Sequence, residues 1–132
     1  MAGTLVITTL SDGTNSTSST NCIQGSAKAW VNFEGSTGTR RGSFNISSIT
    51  RASAGQYTIN LTNAMPNINY SAIASVSTTS TPVGCFLEMF TATNSTQVAT
   101  APTTTSFSMA VLQYNGAAFL DPVYVNVAVF SS

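Results

Sequence analysis

The stretch "AKAWVNFEG", residues 27–35, decides how the chain is read, because it holds its single Lys, its single Trp and one of its two Glu. Under strict alternation Ala27, Ala29, Val31 and Phe33 fall on one face, and Lys28, Trp30, Asn32 and Glu34 on the other. Such a stretch is a strand with two occupied faces. On one reading Trp30 is framework, anchoring a core or a subunit interface, with Lys28 and Glu34 reaching solvent at the strand ends. Its burial would then contribute on the order of 4–6 kcal/mol by area. On the other reading Trp30 is a platform on which a sugar stacks, while Asn32 and Lys28 hold its hydroxyls. The stabilisation lost by leaving Trp exposed favours the framework reading.

The same alternation runs along the chain. "QYTINLT" sends Tyr57, Ile59 and Leu61 one way, and "SFNISSIT" places Phe44 and Ile46 on a shared face. "TSFSMAVLQ" groups Phe107, Met109 and Val111. "PVYVNVAVF" sets Val123, Val125, Val127 and Val129 against Tyr124, Asn126, Ala128 and Phe130. Turn clusters such as "GSTGTRRG", "RASAG", "AMPNIN" and "TSTPVG" separate the runs, and no segment carries a 3.6-residue stripe. This predicts an all-β fold, an antiparallel, jelly-roll-like β-sandwich of about seven to nine strands. The closing strand is apolar on both faces, which calls for cover on both sides. In a chain of 132 residues the second cover is expected from a neighbouring subunit, and a three-fold axis covering one face of each sheet makes a homotrimer the expected assembly, with Lys28, Trp30, Phe33, Tyr124 and Phe130 as interface or framework residues.

Residues 1–24 read as a separate unit. "TLVITTL" is a short apolar strand, and the polar linker "SDGTNSTSSTN" joins it to a sandwich spanning 25–132. Ordering such a linker costs conformational entropy without burial, a poor way to attach a strand to its own sheet. The expectation is a docking strand, with Leu5, Val6, Ile7 and Leu10 meeting an edge on another subunit or protein. The alternative is an edge strand paired within its own subunit.

Charge is scarce. Lys28, Arg40, Arg41 and Arg51 balance Asp12, Glu34, Glu88 and Asp121, so 6% of residues are charged and the net charge is zero. With no basic stripe, nucleic-acid binding is not expected. No apolar run approaches the ~20 residues of a membrane span, and the first ten residues lack the charge and core of a secretory signal. Synthesis and folding in the cytosol follow as an expectation, with Cys22 and Cys85 as free, packed thiols. The five Asn-X-Ser/Thr sites, at Asn15, Asn45, Asn60, Asn69 and Asn94, are read as coincidence in so hydroxyl-rich a chain.

Chemistry finds little purchase. The chain has no His, so Ser-His and Cys-His nucleophiles cannot be built. Two distant Cys cannot supply a zinc site, and no acidic loop supports calcium. Glu34 with Glu88 is the only carboxylate pair worth testing for glycoside hydrolysis. No cofactor and no enzymatic activity are expected. Arg40 and Arg41, in a Gly-rich loop, could grip an anion, but solvation of a turn or a bridge to a neighbouring subunit is preferred. "EMFTATNSTQVATAPTTTSF", with Phe90 and Asn94, is the candidate exposed, partner-facing loop.

"AKAWVNFEGS", followed by "GSFNISSITRASAGQYTINLTNAMP" and a later "NY", resembles a segment of tail-fibre and other virion surface proteins of bacteriophages, cyanophages and marine phages among them. The pattern lies here at Lys28 to Phe33, Ser43 to Thr50, Gly55, Tyr57 to Asn60 and Ala64 to Pro66, with a looser likeness in "VYVNVAVF". Residues 78–118 are unmatched, as a variable partner-facing part would be. The resemblance implies a virion structural protein assembled in the host cytoplasm, a short tail fibre or knob contacting the host surface, where a glycan is the expected ligand. A capsid decoration, cement or head-fibre protein is the alternative, and other virion proteins are the implied partners. Family members often end long fibres. The roughly 25 residues preceding the match here lead to the expectation of a small self-contained component. In the family the Trp belongs to the framework.

Overall fold

The period-two rows fold as strands whose apolar sides meet. The computed structural model describes residues 3–78, 86–88, 91–93, 96–98, 101–113 and 118–132, the three short middle segments by backbone alone. In chain order the described strands are β1 (Thr9–Ser11), β2 (Ser16–Ser18), β3 (Ala29–Phe33), β4 (Arg40–Phe44), β5 (Ile46–Ser53) and β6 (Gln56–Leu61). They continue with β7 (Ser71–Ser77), β8 (Phe86–Glu88), β9 (Thr91–Thr93), β10 (Thr96–Val98), β11 (Ser106–Leu112) and β12 (Tyr124–Phe130). One helix, α1 (Ser19–Gly25), stands between β2 and β3.

Eight of these strands form two antiparallel four-stranded sheets, ordered β4-β3-β12-β7 and β5-β6-β11-β8. Ala29, Val31 and Phe33 with Val125, Val127 and Val129 face Tyr57, Ile59 and Leu61 with Phe107, Met109 and Val111, and all are buried. Each side chain so buried contributes about 1.5–3 kcal/mol. Phe33 and Tyr57 meet edge to face across the sheets at 5.1 Å. The expected all-β sandwich is observed, with β1-β2 and β9-β10 as two additional short pairs.

"SFNISSIT" departs from its predicted course. Phe44 is exposed and Ile46 buried, because Asn45 takes a left-handed φ of 57° and passes the chain from one sheet to the other. Its side chain holds that crossing. Asn45 Nδ2 donates to the carbonyls of Lys28 (3.1 Å) and Asn63 (3.3 Å), and Oδ1 accepts from the Asn63 backbone N–H at 2.8 Å.

The sheets are tied at one end by Asp121, just before β12. Its carboxylate accepts from Arg51 Nη2 (2.6 Å), the Gly55 N–H (2.8 Å) and the Tyr57 hydroxyl (2.7 Å), all three on the opposite sheet or its hairpin turn. Two glycines allow this approach. A Cβ on Gly55, whose φ is +66°, would stand 2.5 Å from the Val111 carbonyl oxygen. One on Gly35 would stand 2.5 Å from the Pro122 oxygen and 2.6 Å from the Tyr57 hydroxyl.

The amino-terminal unit differs from the expected strand and linker. Only Thr9–Ser11 of the apolar run is strand, and it pairs with β2 through a turn in which Asp12 Oδ1 accepts from the backbone N–H groups of Thr14 and Asn15. The supposed linker carries β2 and runs into α1, whose N-cap Ser18 accepts from the Asn21 N–H at 3.1 Å. Seven residues with no buried member are too few to write a helical stripe into the sequence. Neither strand of this arm joins a sandwich sheet, and no residue from 3 to 26 is buried. Cys22 is a free thiol on α1, half-exposed rather than packed, and Cys85 lies outside the described residues.

Removing the Asp121 carboxylate strands two buried donors, so Asp121→Ala is expected to cost about 2–4 kcal/mol by denaturant unfolding. Gly55→Ala is expected to destabilise by a similar amount, about 2–4 kcal/mol, through clash and φ strain; an unchanged midpoint for either would remove the junction from its structural role.

Burial alone would raise the Asp121 carboxyl, but hydrogen bonds from Arg51, Gly55 and Tyr57 outweigh it and hold its pKa below the usual range. That stability is present above the unfolded carboxyl's value of about 3.9 and is lost as pH falls through the folded one. Burial, then the bond to Asp121, pushes the Tyr57 phenol far above its ordinary value. Its contribution is present below the unfolded value of about 10 and is lost as pH rises beyond it. With no His in the chain, the melting temperature is expected to be flat from about pH 5 to about pH 9 and to fall on either side. A step near neutrality would contradict this.

Candidate functional site

The two outer faces of the sandwich differ in kind. On the β5-β6-β11-β8 sheet the outward groups described on β5, β6 and β11 include hydroxyls and amides, with Thr58 Oγ1 and Ser108 Oγ 3.3 Å apart and Asn60 Nδ2 donating to Ser48 Oγ at 3.0 Å. The outer face of β4-β3-β12-β7 instead carries Phe44, Trp30, Ile73 and Tyr124, exposed at 56%, 44%, 56% and 46%.

Strand register arranges these into rows. Phe44 lies opposite Trp30, Trp30 opposite Ala128, and Ala128 opposite Ile73, so an apolar row crosses all four strands. The next row is Gly42, Asn32, Asn126 and Ser75. Here Asn32 Nδ2 donates to Asn126 Oδ1 at 2.5 Å, and Asn126 Nδ2 to Ser75 Oγ at 3.4 Å. The Trp30 indole leans over Gly42, where a Cβ would stand 3.4 Å from its Cζ3. Because Ala128 is small, the space between Trp30 and Ile73 is left as an open groove of about 400 Å³, lined also by Asn32, Ser75 and Asn126.

Trp30 is therefore not in the core of its own chain, and the stabilisation estimated for full burial does not arise within it. Phe33 takes the core place instead, and Phe130 lies half-buried on the outer side opposite Ser71. Lys28 is not in the groove, since its ammonium bonds back to the Ile23 carbonyl and to Ser26 Oγ.

Arg40 and Arg41 lie on β4 rather than in a solvated loop. Arg40 Nη1 donates to the Ile46 carbonyl at 2.6 Å, and Arg41 Nη1 to that of Val123 at 2.7 Å, its guanidinium lying 4.2 Å over the Tyr124 ring. With Arg51 on Asp121, every cationic side chain is bound to a structural acceptor of this chain. The Asp121 carboxylate is likewise fully engaged within the chain. Its two oxygens accept from Arg51 Nε and Nη2, the Gly55 N–H and the Tyr57 hydroxyl, which fills the roughly four lone-pair sites of a carboxylate.

Leu5 and Val6 are 81% and 88% exposed, and Leu10 and Ile7 also face solvent. Phe90, Asn94 and the side chain of Glu88 lie outside the described residues, so the partner-facing loop and the Glu34–Glu88 pair have no placement. Among the described residues no group of three His, Cys, Asp or Glu could hold a metal. The sequence pairs Trp30 with Asn32, and Asn126 with Tyr124, by alternation. It does not show that β3 and β12 are neighbours, or that Phe44, Ile73 and Ser75 complete their rows.

No protein-family model matches the chain, and no curated protein and no solved structure matches it.

The two faces of β3 are expected to respond differently to truncation. Val31→Ala, in the core, should cost about 2–4 kcal/mol, and Trp30→Ala about 1–2 kcal/mol with the fold retained. Circular dichroism melts of both variants check this, and equal losses would mean that Trp30 is covered in solution.

Proposed function

We propose that the chain is a non-enzymatic structural protein of a bacteriophage particle, a short tail fibre or knob displayed on the virion and touching the host surface. The observation that carries this reading is the division of its exposed apolar surface between two places. One is an arm, with Leu5, Val6, Leu10 and Ile23 in solvent and no strand in either sandwich sheet. The other is an aromatic face on a well-packed sandwich. An arm that buries nothing in its own subunit gains stability only by docking elsewhere, and a rigid aromatic face suits contact. The likeness of residues 26–70 to phage virion surface domains supplies the particle. The arm also favours a second reading, a capsid decoration or cement protein clamped to the shell through its first ten residues. Self-association through the arm into a homotrimer would leave the Trp30 face outward.

Deleting residues 2–20 tests the assembly role. The truncated chain is expected to fold, to sediment as a monomer where the full chain sediments as a trimer, and to be missing from purified particles. A full-length monomer at micromolar concentration would remove the trimer, and an unfolded truncation would return the arm to its own core. Imaging particles at a resolution that traces this chain separates the two locations: density on the tail supports the fibre or knob, and density on the shell lattice supports the decoration protein.

A further inference from the structure

We propose that the groove between Trp30 and Ile73 is a binding site for a neutral pyranose, the terminal sugar of a host-surface glycan; this rests on the host-contact reading above and gives it a place and a ligand class. The argument begins with what the groove offers. One wall is a half-exposed indole, the other is Ile73, and the floor is the methyl group of Ala128. Beside them runs the amide and hydroxyl row Asn32, Asn126 and Ser75. A pyranose has an apolar C–H face that packs on an aromatic ring, and a rim of hydroxyls that both donate and accept. Amide side chains match such a rim because each carries donors and an acceptor. Asn32 Oδ1 accepts no hydrogen bond among the described residues, and Asn126 Nδ2 donates only one long bond, to Ser75 Oγ. Both retain capacity at the lip of the groove.

Charge offers acidic ligands nothing inside the groove. Its lining holds no ionisable side chain, and Arg41, stacked on Tyr124 and bonded to the Val123 carbonyl, is not part of that lining. A carboxylate or phosphate seated there would meet amides and no cation. The Asn row selects against a second copy of the chain. The four exposed side chains together present about 400 Å² of apolar surface, the size of patch that a monomer carries at a functional site, and a flat partner would bury the Asn row without answering it. The groove's 400 Å³ sits at the small end of the range for small-molecule sites, about 300–1,000 Å³. One shallow aromatic wall implies a dissociation constant on the order of millimolar, and several copies on a particle would raise the avidity.

Trp30 is the only Trp in the chain, so its fluorescence reports on the groove directly. The full-length protein is titrated with the methyl pyranosides of glucose, galactose, mannose and N-acetylglucosamine, and with sialic acid, while acrylamide quenching measures the accessibility of Trp30. At least one neutral pyranoside should give a saturable change and protect Trp30 from acrylamide, with sialic acid at least tenfold weaker. Ala128→Leu fills the floor from the solvent side and leaves the core untouched. It should weaken binding at least tenfold with an unchanged melting temperature. Asn126→Ala, followed by amide NMR, should weaken binding severalfold. No saturation by any neutral sugar overturns the proposal, as does binding that survives Ala128→Leu, or a preference for sialic acid. A Trp30 already shielded from acrylamide without sugar would mark the face as a subunit interface and overturn it too. None of these outcomes bears on where the protein sits in a particle, which imaging reads separately.

Discussion

The sandwich depends on one carboxylate. Asp121 reaches from the start of β12 across to Arg51, Gly55 and Tyr57 on the other sheet. The contact fixes more than an ion pair. It closes the β5-β6 hairpin turn against the entry to β12, and it orients Tyr57, whose ring packs on Phe33 in the core. Its geometry is possible only because positions 35 and 55 lack a Cβ. A surface ion pair alone is worth little, but here the carboxylate also satisfies a part-buried backbone N–H and a part-buried hydroxyl. Losing it would leave both unpaired, which costs more than the pair itself contributes.

With β12 placed, the outer face of its sheet follows. β12 lies between β3 and β7, and its alternation commits Val125, Val127 and Val129 to the core and Tyr124, Asn126 and Ala128 to the outside. The small side chain of Ala128 opens the groove because its neighbours are Trp30 and Ile73. A one-residue slip of β12 would exchange the Val row for the Asn row and abolish both core and groove. The register that makes the core is therefore the register that makes the groove.

Much of this was legible in the sequence, and what was not has separate physical causes. Alternation placed Tyr57, Ile59, Leu61, Phe107, Met109 and the Val row correctly, since one strand suffices to write a two-residue period. It also placed Trp30 opposite the face of Val31 and Phe33. It failed at Asn45, where a single left-handed residue sends Phe44 and Ile46 into different sheets and cancels the parity between them. Strand neighbours were invisible for another reason. Asn32 and Asn126 are 94 residues apart, and Arg51 and Asp121 are 70, separations at which no local spacing carries information. The helix α1 escaped because a seven-residue element held by a Ser cap has no apolar stripe to declare it. Arg40 and Arg41 looked like loop residues beside glycines, yet both staple strand β4 to carbonyls elsewhere in the fold.

Those staples explain what kind of contact the surface can make. Few of its residues are charged, and none of the cations is left over: Lys28 caps the end of α1, Arg40 and Arg41 hold carbonyls, and Arg51 holds Asp121. Long-range steering needs a surplus of charge of one sign, and the net charge of this chain is zero. Under the proposed host-contact role, recognition then comes from stacking, close apolar packing and neutral hydrogen bonds, all short-ranged and only weakly affected by salt. Such contacts are individually modest, so useful adhesion requires several copies acting together. In the proposed function, an assembly arm is thus the physical complement of a neutral contact face: the one would multiply what the other can supply only weakly.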